Sequence, residues 1–485
     1  MPSSSFISSN GDSAVRQLTE KMETVRVEDE AMVDADAGAS ERSQPATQPS
    51  SQQQPPSPPR GSNPNNRRRP YDITVEAGPA ADPIVFPQPQ IHRGRRAEVC
   101  CYNPKTQDHE MAKNVLFRDF SREFEDGDAR VTQAYWPVPY KKPIRTIMGH
   151  VEICLILKRC TGKDNTIGSS SSMSIKNTST DTPQFDDSSS DEEEDEEDDI
   201  IFELTDEMVA VKVNYSQRME ELRHRHAEDP LKEIAAMQII GNEHPNVMGC
   251  IDVLFDGSSL NVVMKYCGSG DLFELLQNSI RDDQQPGMTE PQARYWFRQV
   301  IAGLKHIHSV GICHRDLSPE NVMIDGPGSL IIDMGMAIRM PYTDPVDPSK
   351  VTDRSHGSQR RMIRPQGACG KLPYMSPEIY RHKHSFDGDA VDVWTCGTIL
   401  FCMVTGNRSY ERPHPSDPQV YWMTKGLTQL LGDWNVKLSP EGMHLLQHML
   451  QIDPANRLSI DEIENHPWFA FPDEPQDADD MEFQL

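Results

Sequence analysis

The most informative part of this sequence for its fold is ICHRDLSPENVMIDGPGSLIIDMGMA, residues 312–337. It places Asp316, Asn321 and Asp333 within eighteen residues, and Gly335 follows two positions after the last of them. The branched residues between the second and third of these groups predict a short pair of strands. Taken singly, such polar residues at the ends of strands and loops only cap or solvate the chain. The informative feature is the set at this spacing.

This stretch resembles the catalytic and magnesium loops of the eukaryotic protein kinases, which read H-R-D-x-x-x-x-N and D-F-G. Further landmarks of that family occur in the right order along the chain. They are VAVK with Lys212, Glu233 on a helix opened by Pro230, VVMKYCGSGDLF (262–273), YMSPE (374–378), DVWTCG (392–397) and DPANRLSIDEIENHPWF (453–469). The resemblance covers about residues 140–470 and implies an α+β, two-lobed kinase fold with a β-rich lobe followed by a helical lobe. The HPWF ending resembles calmodulin-dependent-type kinases, and the catalytic loop lacks the pattern of tyrosine kinases.

The resemblance implies a role for each of the central polar residues. Asp316 would accept the proton of the attacking hydroxyl, while Asn321 and Asp333 would hold magnesium. Lys212 would contact the α- and β-phosphates of ATP, and Glu233 would keep that lysine aimed. These residue types suit phosphoryl transfer, because catalysis there is mainly positioning and neutralisation of charge.

The same resemblance implies an apolar slot for adenine and two further contacts. The ATP-binding residues that it adds are Gly149, Val151, Ala210, Met264, Lys265, Cys267 and Met323. Arg457 would pair with a buried Glu378. Asp271 matches the acidic residue that meets an arginine upstream of the target hydroxyl in basophilic kinases.

The glycine-rich loop departs from the family pattern. Where kinases read G-x-G-x-x-G-x-V, this chain reads IRTIMGHV, residues 144–151, so that Ile144 and Thr146 replace two glycines. Glycine permits backbone amides to approach the phosphates closely. We therefore expect a reduced affinity for ATP.

A second departure concerns two positions beside the transferred phosphate. Ser/Thr kinases usually have Lys two residues after the catalytic Asp and Thr shortly before Y-x-A-P-E, whereas this chain has Ser318 and Lys371. Either the two residues have exchanged chemistry, with Lys371 reaching over Ser318 toward Asp316, or two unrelated losses have occurred. Both interpretations stay open on the sequence alone.

The third departure concerns regulation. Arg315, beside the catalytic aspartate, is typical of kinases whose activation loop is ordered by a phosphate that this arginine binds. Residues 359–373 contain no Ser, Thr or Tyr. They contain instead Arg360, Arg361 and Arg364. One hypothesis is that these arginines attract the acidic run at residues 186–199.

Composition divides the chain into folded and unfolded parts. Low-complexity or acidic sequence predicts a disordered tail at 1–97, a disordered insertion at 162–199 and an acidic tail at 471–485. Residues 98–139 are predicted to form an extension packed on the β-rich lobe, and 140–470 the kinase domain. Predicted strands lie at 151–160 and 208–213, and predicted helices at 216–240, 271–281, 290–309, 390–406 and 440–451.

The charge and the cysteine content limit the classes of partner and the cellular location that this protein can have. The net charge of -27 excludes a nucleic-acid protein held by an overall basic field. The ten cysteines include no C-x-x-C pair, and neither a signal peptide nor a membrane span is evident. We expect a cytoplasmic or nuclear monomer that uses ATP and Mg and acts on protein substrates. The alternative function is a pseudokinase, a binding module with the kinase fold and without turnover.

Overall fold

A computed structural model describes residues 79–118, 133–160, 201–222, 229–279 and 287–471 of the chain. These residues fall into two compact units. The sheet unit lies within residues 91–221 and 251–266, and the helical unit comprises the remainder. The predicted insertion at 162–199, most of the predicted N-terminal tail and nearly all of the C-terminal tail lie outside the described residues.

The sheet unit is built from eight strands and one short helix. They are β1 (His92–Asn103), β2 (Asp108–Arg118), β3 (Gln133–Pro137), β4 (Ile144–Arg145), β5 (Gly149–Cys160), β6 (Ile201–Tyr215), α1 (Ser216–Leu222), β7 (Asp252–Phe255) and β8 (Ser259–Lys265). The strand order is β3-β2-β1-β7-β8-β6-β5-β4, and β3 also pairs with β5. Seven of the eight strands therefore close into a ring, which leaves only β4 outside it.

The core of this unit follows from residue alternation along β6. Val209, Val211 and Val213 are at most 3% exposed and pack with Tyr135 and Leu254 in one cluster. Because neighbouring side chains of a strand point to opposite faces, the residues between these valines share the other face. That second face carries the lysine of the VAVK motif.

The N-terminal boundary predicted from the sequence is wrong. Residues 79–97, which we predicted to be part of a disordered tail, include the start of β1 at His92. In β1 only Gly94 and Cys101 are buried, and its other residues are at least partly exposed. The apolar alternation that marks a strand is therefore weak in HRGRRAEVCCYN. The strands β1, β2 and β3 place the predicted extension within the same sheet as β5 and β6.

The helical unit contains ten helices among the described residues. They are α2 (Pro230–Ile240), α3 (Leu272–Ser279), α4 (Glu290–Ser309), α5 (Pro377–Arg381), α6 (Gly388–Thr405), α7 (Pro418–Lys425), α8 (Leu427–Asp433), α9 (Pro440–Met449), α10 (Ile460–Glu464) and α11 (Pro467–Ala470). The helix predicted over 216–240 is two helices, α1 and α2, and residues 223–228 between them lie outside the described set.

Short strand pairs complete the helical unit. β9 (Ile312–Cys313) pairs with β12 (Ile338–Arg339), and β10 (Val322–Asp325) pairs with β11 (Gly328–Ile331). A three-stranded sheet places β13 (Tyr342–Thr343) between β14 (Val351–Thr352) and β15 (Gln359–Arg360). The order of strands first and helices afterwards confirms the predicted α+β, two-lobed class.

Helix α6 forms the centre of the helical unit. Asp387 caps its first turn by accepting a hydrogen bond from Asp389 N, and Gly406 ends it at a φ of +63°. Among the described residues, α6 is the helix long and apolar enough to cross a membrane, but 94% of that window is buried inside the fold. Its apolar character is therefore accounted for by packing in a protein core.

Candidate active site

A buried carboxylate on α6 holds the catalytic loop in place by accepting hydrogen bonds from its backbone. Asp392 is 0% exposed and accepts hydrogen bonds of 2.8 Å from the backbone N–H groups of His314 and Arg315. His308 Nε2 donates a third bond of 2.8 Å to the same carboxylate. Arg315 has a φ of +69°, a conformation that L-residues rarely adopt. The bonds to Asp392 stabilise this strained backbone and so fix the position of Asp316, the next residue.

The charge of Asp392 depends on these donors. Burial by itself raises the pKa of the carboxyl, but the hydrogen bond from His308, the neighbouring imidazoles and the Arg315 N–H outweigh it. The pKa of Asp392 therefore lies below its usual range. Its contribution to stability is present above the unfolded pKa, about 4, and is lost as the pH falls through the lower folded value.

Asp392→Asn places an amide NH₂ against these N–H donors. We expect the free energy of unfolding at pH 7 to fall by about 3–5 kcal/mol, the usual cost of breaking a buried charged network. Urea unfolding of the wild type and the variant measures this difference in free energy of unfolding. The difference should become smaller below about pH 4. A difference that is absent at pH 7, or that widens in acid, would contradict the assigned role.

Asp316 and Asn321 are joined through the loop backbone. The Asp316 N–H donates to His314 Nδ1 at 3.2 Å, so that the imidazole proton lies on Nε2, which donates to the Ile332 carbonyl at 3.0 Å. Asn321 Nδ2 donates to the Asp316 carbonyl at 2.7 Å. Asn321 is 1% exposed, and its Oδ1 has no hydrogen-bond partner among the described residues.

The strand pair β10–β11 brings the two predicted magnesium ligands to one end. The backbone N–H of Ile332 donates to the Asn321 carbonyl at 2.9 Å, and Asp333 is the next residue. Asp333 has a φ of +67°, and its Oδ1 accepts a hydrogen bond from Gly335 N at 3.1 Å. The two oxygen-bearing side chains are thus attached to adjacent points of the backbone.

Lys371 reaches the catalytic loop. Its Nζ donates to Ser318 Oγ at 2.8 Å and lies 3.2 Å from Glu320 Oε2. Its backbone N–H donates to Asp316 Oδ1 at 3.2 Å. The Lys371 side chain is only 11% exposed. The arrangement favours exchanged chemistry at the Ser318 and Lys371 positions over two unrelated losses.

Gly370 allows this approach. Its φ is +90°, and a Cβ there would lie 2.8 Å from the Arg315 carbonyl oxygen and 3.3 Å from Asp316 Oδ1. Any other residue would push the backbone away from the catalytic loop. The glycine therefore sets the distance between Lys371 and Asp316.

Asp271 has a structural role that the sequence did not predict. It is 5% exposed, and its Oδ1 accepts a hydrogen bond from Glu274 N at 2.9 Å, at the start of α3. Burial raises the pKa of its carboxyl to about 7. The carboxyl group therefore caps a helix, and its role in a substrate subsite stays a prediction.

Four of the predicted ATP-binding residues share one face of the sheet unit. Ala210 and Lys212 lie two apart on β6; Val151 is opposite Lys212, and Met264 is opposite Ala210. Opposed residues of an antiparallel pair point to the same side. Lys265 ends β8. The side chains of the four paired residues, which do not include Lys265, therefore form one continuous patch.

The glycine-rich loop is a tight turn. Thr146 N donates to the Gly149 carbonyl at 3.0 Å, and a Cβ on Gly149 would lie 1.9 Å from Val213 O. This glycine is therefore required by its close packing on β6.

The strand before this turn is split in two. Both β3 and β4 pair with β5, but seven residue steps separate Pro137 from Ile144 whereas only three separate their partners, Cys154 and Val151. Four additional residues interrupt the strand, which explains why the family pattern is recognisable only from residue 144 onward.

The remaining predicted residues lie in the helical unit. Glu233 is 8% exposed on α2, which Asp229 caps and Pro230 opens. Cys267 is 9% exposed, and Met323 lies in β10. The predicted pair of Arg457 with Glu378 is present, with nitrogen–oxygen distances of 2.5 and 2.8 Å, and Arg457 is 1% exposed.

The arginines predicted to attract the acidic run already have partners. Arg360 pairs with Asp387 and Asp389. Arg361 is 5% exposed and donates to Thr343 Oγ1 and two backbone carbonyls. These contacts leave Arg360 and Arg361 little capacity for a further anionic partner, whereas Arg364, paired with Asp82, is more exposed; the hypothesis itself stays a prediction. The acidic run itself lies outside the described residues.

Comparison with known proteins agrees with this geometry. A family model described as the protein kinase domain matches residues 200–469, more than half of the chain. The chain belongs to the protein kinase family. It is 32% identical over 270 residues to the serine/threonine-protein kinase SRK2A of Physcomitrium patens, which covers 55% of this chain and 67% of that protein. The corresponding values for SRK2I of Arabidopsis thaliana are 30% over 276 residues, 55% and 66%.

A third relative is the serine/threonine-protein kinase SAPK2 of Oryza sativa subsp. japonica, 32% identical over 251 residues, with 50% of this chain and 66% of that protein covered. The matches thus span about two thirds of these relatives. They confirm the prediction of a Ser/Thr protein kinase. Sequence reasoning missed the anchoring by Asp392 and His308 in this kinase; DVWTCG contains the aspartate, but its partners are set by the fold.

Proposed function

We propose that this kinase transfers the γ-phosphoryl group of ATP to protein Ser or Thr hydroxyls, with Lys371 supplying the cation beside Asp316. The observation that carries the proposal is the bond from Lys371 Nζ to Ser318 Oγ together with the bond from Lys371 N to Asp316. A protein kinase domain implies Mg- and ATP-dependent transfer in general. The finer proposal assigns the roles to these residues.

Asn321 and Asp333 have the chemistry to hold magnesium. The orphaned, buried Oδ1 of Asn321 is a neutral oxygen that lacks any other partner in the described structure, while the amide of the same side chain is already engaged. Mg²⁺ prefers such oxygen ligands. When bound, the ion neutralises charge on the phosphate oxygens.

The transfer step uses the residues of the catalytic loop. The oxygen of the substrate hydroxyl forms a bond to the γ-phosphorus, the bond to the leaving ADP oxygen breaks, and the hydroxyl proton passes to Asp316. Hydrogen bonding to Lys371 N orients the Asp316 carboxylate. The ammonium of Lys371, which is little exposed, stabilises negative charge at the reacting group more strongly than it would in water.

The partners proposed for this kinase follow from its chemistry. Protein substrates are recognised with a modest preference for an upstream arginine, because Asp271 also caps α3 and Glu320 already pairs with Lys371. A monomer in the cytoplasm or nucleus, without nucleic-acid or membrane partners, fits the free thiols of the described cysteines and the negative net charge.

A nucleotide-binding pseudokinase is the second candidate, favoured by Ile144 and Thr146 in the glycine-rich loop. Thermal unfolding with Mg-ATP tests nucleotide binding itself. At 100 times its dissociation constant, the nucleotide should stabilise the protein by about 2.7 kcal/mol. Asn321→Leu should reduce the stabilisation by Mg-ATP and leave that by ATP with EDTA unchanged. An equal response of both proteins to magnesium would contradict the assignment of Asn321.

A further inference from the structure

The N-terminal strap, residues 79–90, lies on the activation segment, residues 333–378. Its contacts there are Ala81 N to Met362 O (3.0 Å), Arg364 N to Ala81 O (2.9 Å), Ile84 N to Arg339 O (3.0 Å) and Arg339 Nη1 to Val85 O (2.6 Å). Most of these bonds join backbone to backbone. The strap is therefore docked through isolated backbone bridges at two separate points of the activation segment.

The first of these points is buried. Ile363 is 0% exposed and forms backbone bridges with Ala81 on one side and Phe386 on the other. Ala81 is 6% exposed. Ile363 also belongs to an apolar cluster with Met375, near the end of the activation segment, and Ile379, which directly follows the segment. The strap thus covers one side of the backbone at Ile363, the buried residue that anchors this part of the activation segment in the core.

The far end of the strap is bound to α2. Gln90 N donates to Gln238 Oε1 at 2.8 Å, and Gln238 Nε2 donates to the Gln90 carbonyl at 2.7 Å. The same helix carries Glu233, the predicted partner of the ATP-binding lysine, five residues earlier. One short segment therefore joins the two elements whose positions control transfer in protein kinases.

The part of the activation segment nearest its C-terminal end lacks the usual site of phosphorylation, since the nearest upstream hydroxyls belong to Ser358, Ser355 and Thr352. Arg315, the residue that would bind a phosphate, is 8% exposed, and its Nε and Nη2 have no hydrogen-bond partner among the described residues. Residues 359–373 offer no hydroxyl to phosphorylate. Backbone bonds to the strap replace what charge pairing with a phosphate would otherwise supply.

We propose that the N-terminal strap is a positioning segment, which holds the activation segment and α2 in the arrangement needed for transfer without phosphorylation of that segment. The proposal rests on the proposed kinase activity for its effect on rate. Its effect on order is independent of that activity.

Point variants of the full chain test the strap. Ala81→Pro removes the N–H that bonds to Met362, and Gln238→Ala removes both bonds to Gln90. Ala80→Pro is the matched control, because Ala80 N makes no backbone hydrogen bond among the described residues. We expect hydrogen exchange to rise about fivefold at 359–366 in Ala81→Pro and at 230–240 in Gln238→Ala, since each lost bond is worth about 1 kcal/mol.

Turnover supplies the second readout. We expect kcat to fall about tenfold or more in the double variant, because small misplacements of catalytic groups have large effects on rate. Melting temperature and Mg-ATP binding should change little, and the control should match the wild type. Wild-type protein treated with a phosphatase should keep its activity.

Several results would overturn the proposal. Equal exchange and equal kcat in variants and control would show that the strap positions nothing, and loss of wild-type activity after phosphatase treatment would show that phosphorylation is required. If the wild type has no turnover, the proposed activity fails, while the exchange comparison still decides whether the strap orders both elements.

Discussion

Asp316→Asn should lower the transfer rate at least about 100-fold, the usual contribution of a general base. The amide retains an oxygen that can accept the hydrogen bond from Lys371 N, but it cannot take the proton of the substrate hydroxyl. The fold should persist, because the loop is held through backbone groups by Asp392 and Asn321. Steady-state phosphorylation of a peptide, together with a melting curve, measures both effects.

Asp433→Asn makes the same chemical change at an exposed position at the end of α8 and serves as the control. It should match the wild type in rate and in melting temperature. An Asp316→Asn protein that keeps more than a tenth of the wild-type rate would contradict the role of Asp316.

Lys371→Thr should lower turnover by about 10² to 10³, the range for loss of one preorganised electrostatic stabiliser. The ammonium group lies 2.8 Å from Ser318 Oγ, so a lysine introduced at position 318 starts from the residue that the native ammonium contacts. Ser318→Lys in the Lys371→Thr protein should therefore restore part of the rate. Ser318→Lys alone should not help, because two ammonium groups would then repel each other.

A double-mutant cycle on kcat/KM expresses this expectation as non-additivity. Strictly additive losses would mean that the two residues do not act on the same charge. Loss of turnover in all four proteins, the wild type included, is the result that a pseudokinase would give.

The local structure around the catalytic loop could be predicted well from the sequence, because the spacing of its motifs is short and recognisable. The branched residues between Asn321 and Asp333 predict a pair of strands, and the structure contains that pair. Helix α4 is also found at its predicted bounds, 290–309, since Thr289 and Gln292 form a capping box at its start. The pairing of Arg457 with Glu378 followed from motif order alone.

The sequence did not predict features that depend on distant backbone contacts. Bonds of the strap to Met362 and Arg339 leave no periodic pattern in residues 79–90, because backbone groups are the same in every residue. In β1, the many charged residues at exposed positions weaken the alternation of apolar and polar residues that would have indicated a strand. The capping role of Asp271 depends on where α3 starts, and such boundaries are weakly encoded.

The most direct test of the central claim is phosphorylation of a Ser/Thr peptide library by the purified full chain with Mg-ATP, beside Asp333→Asn. We expect phosphate on Ser or Thr hydroxyls of library peptides incubated with the wild type. We also expect a rate at least about 100-fold lower with Asp333→Asn, because the predicted magnesium-binding carboxylate is replaced. Equal signals from the two proteins, or no transfer by a wild type that Mg-ATP stabilises against heat, would contradict it.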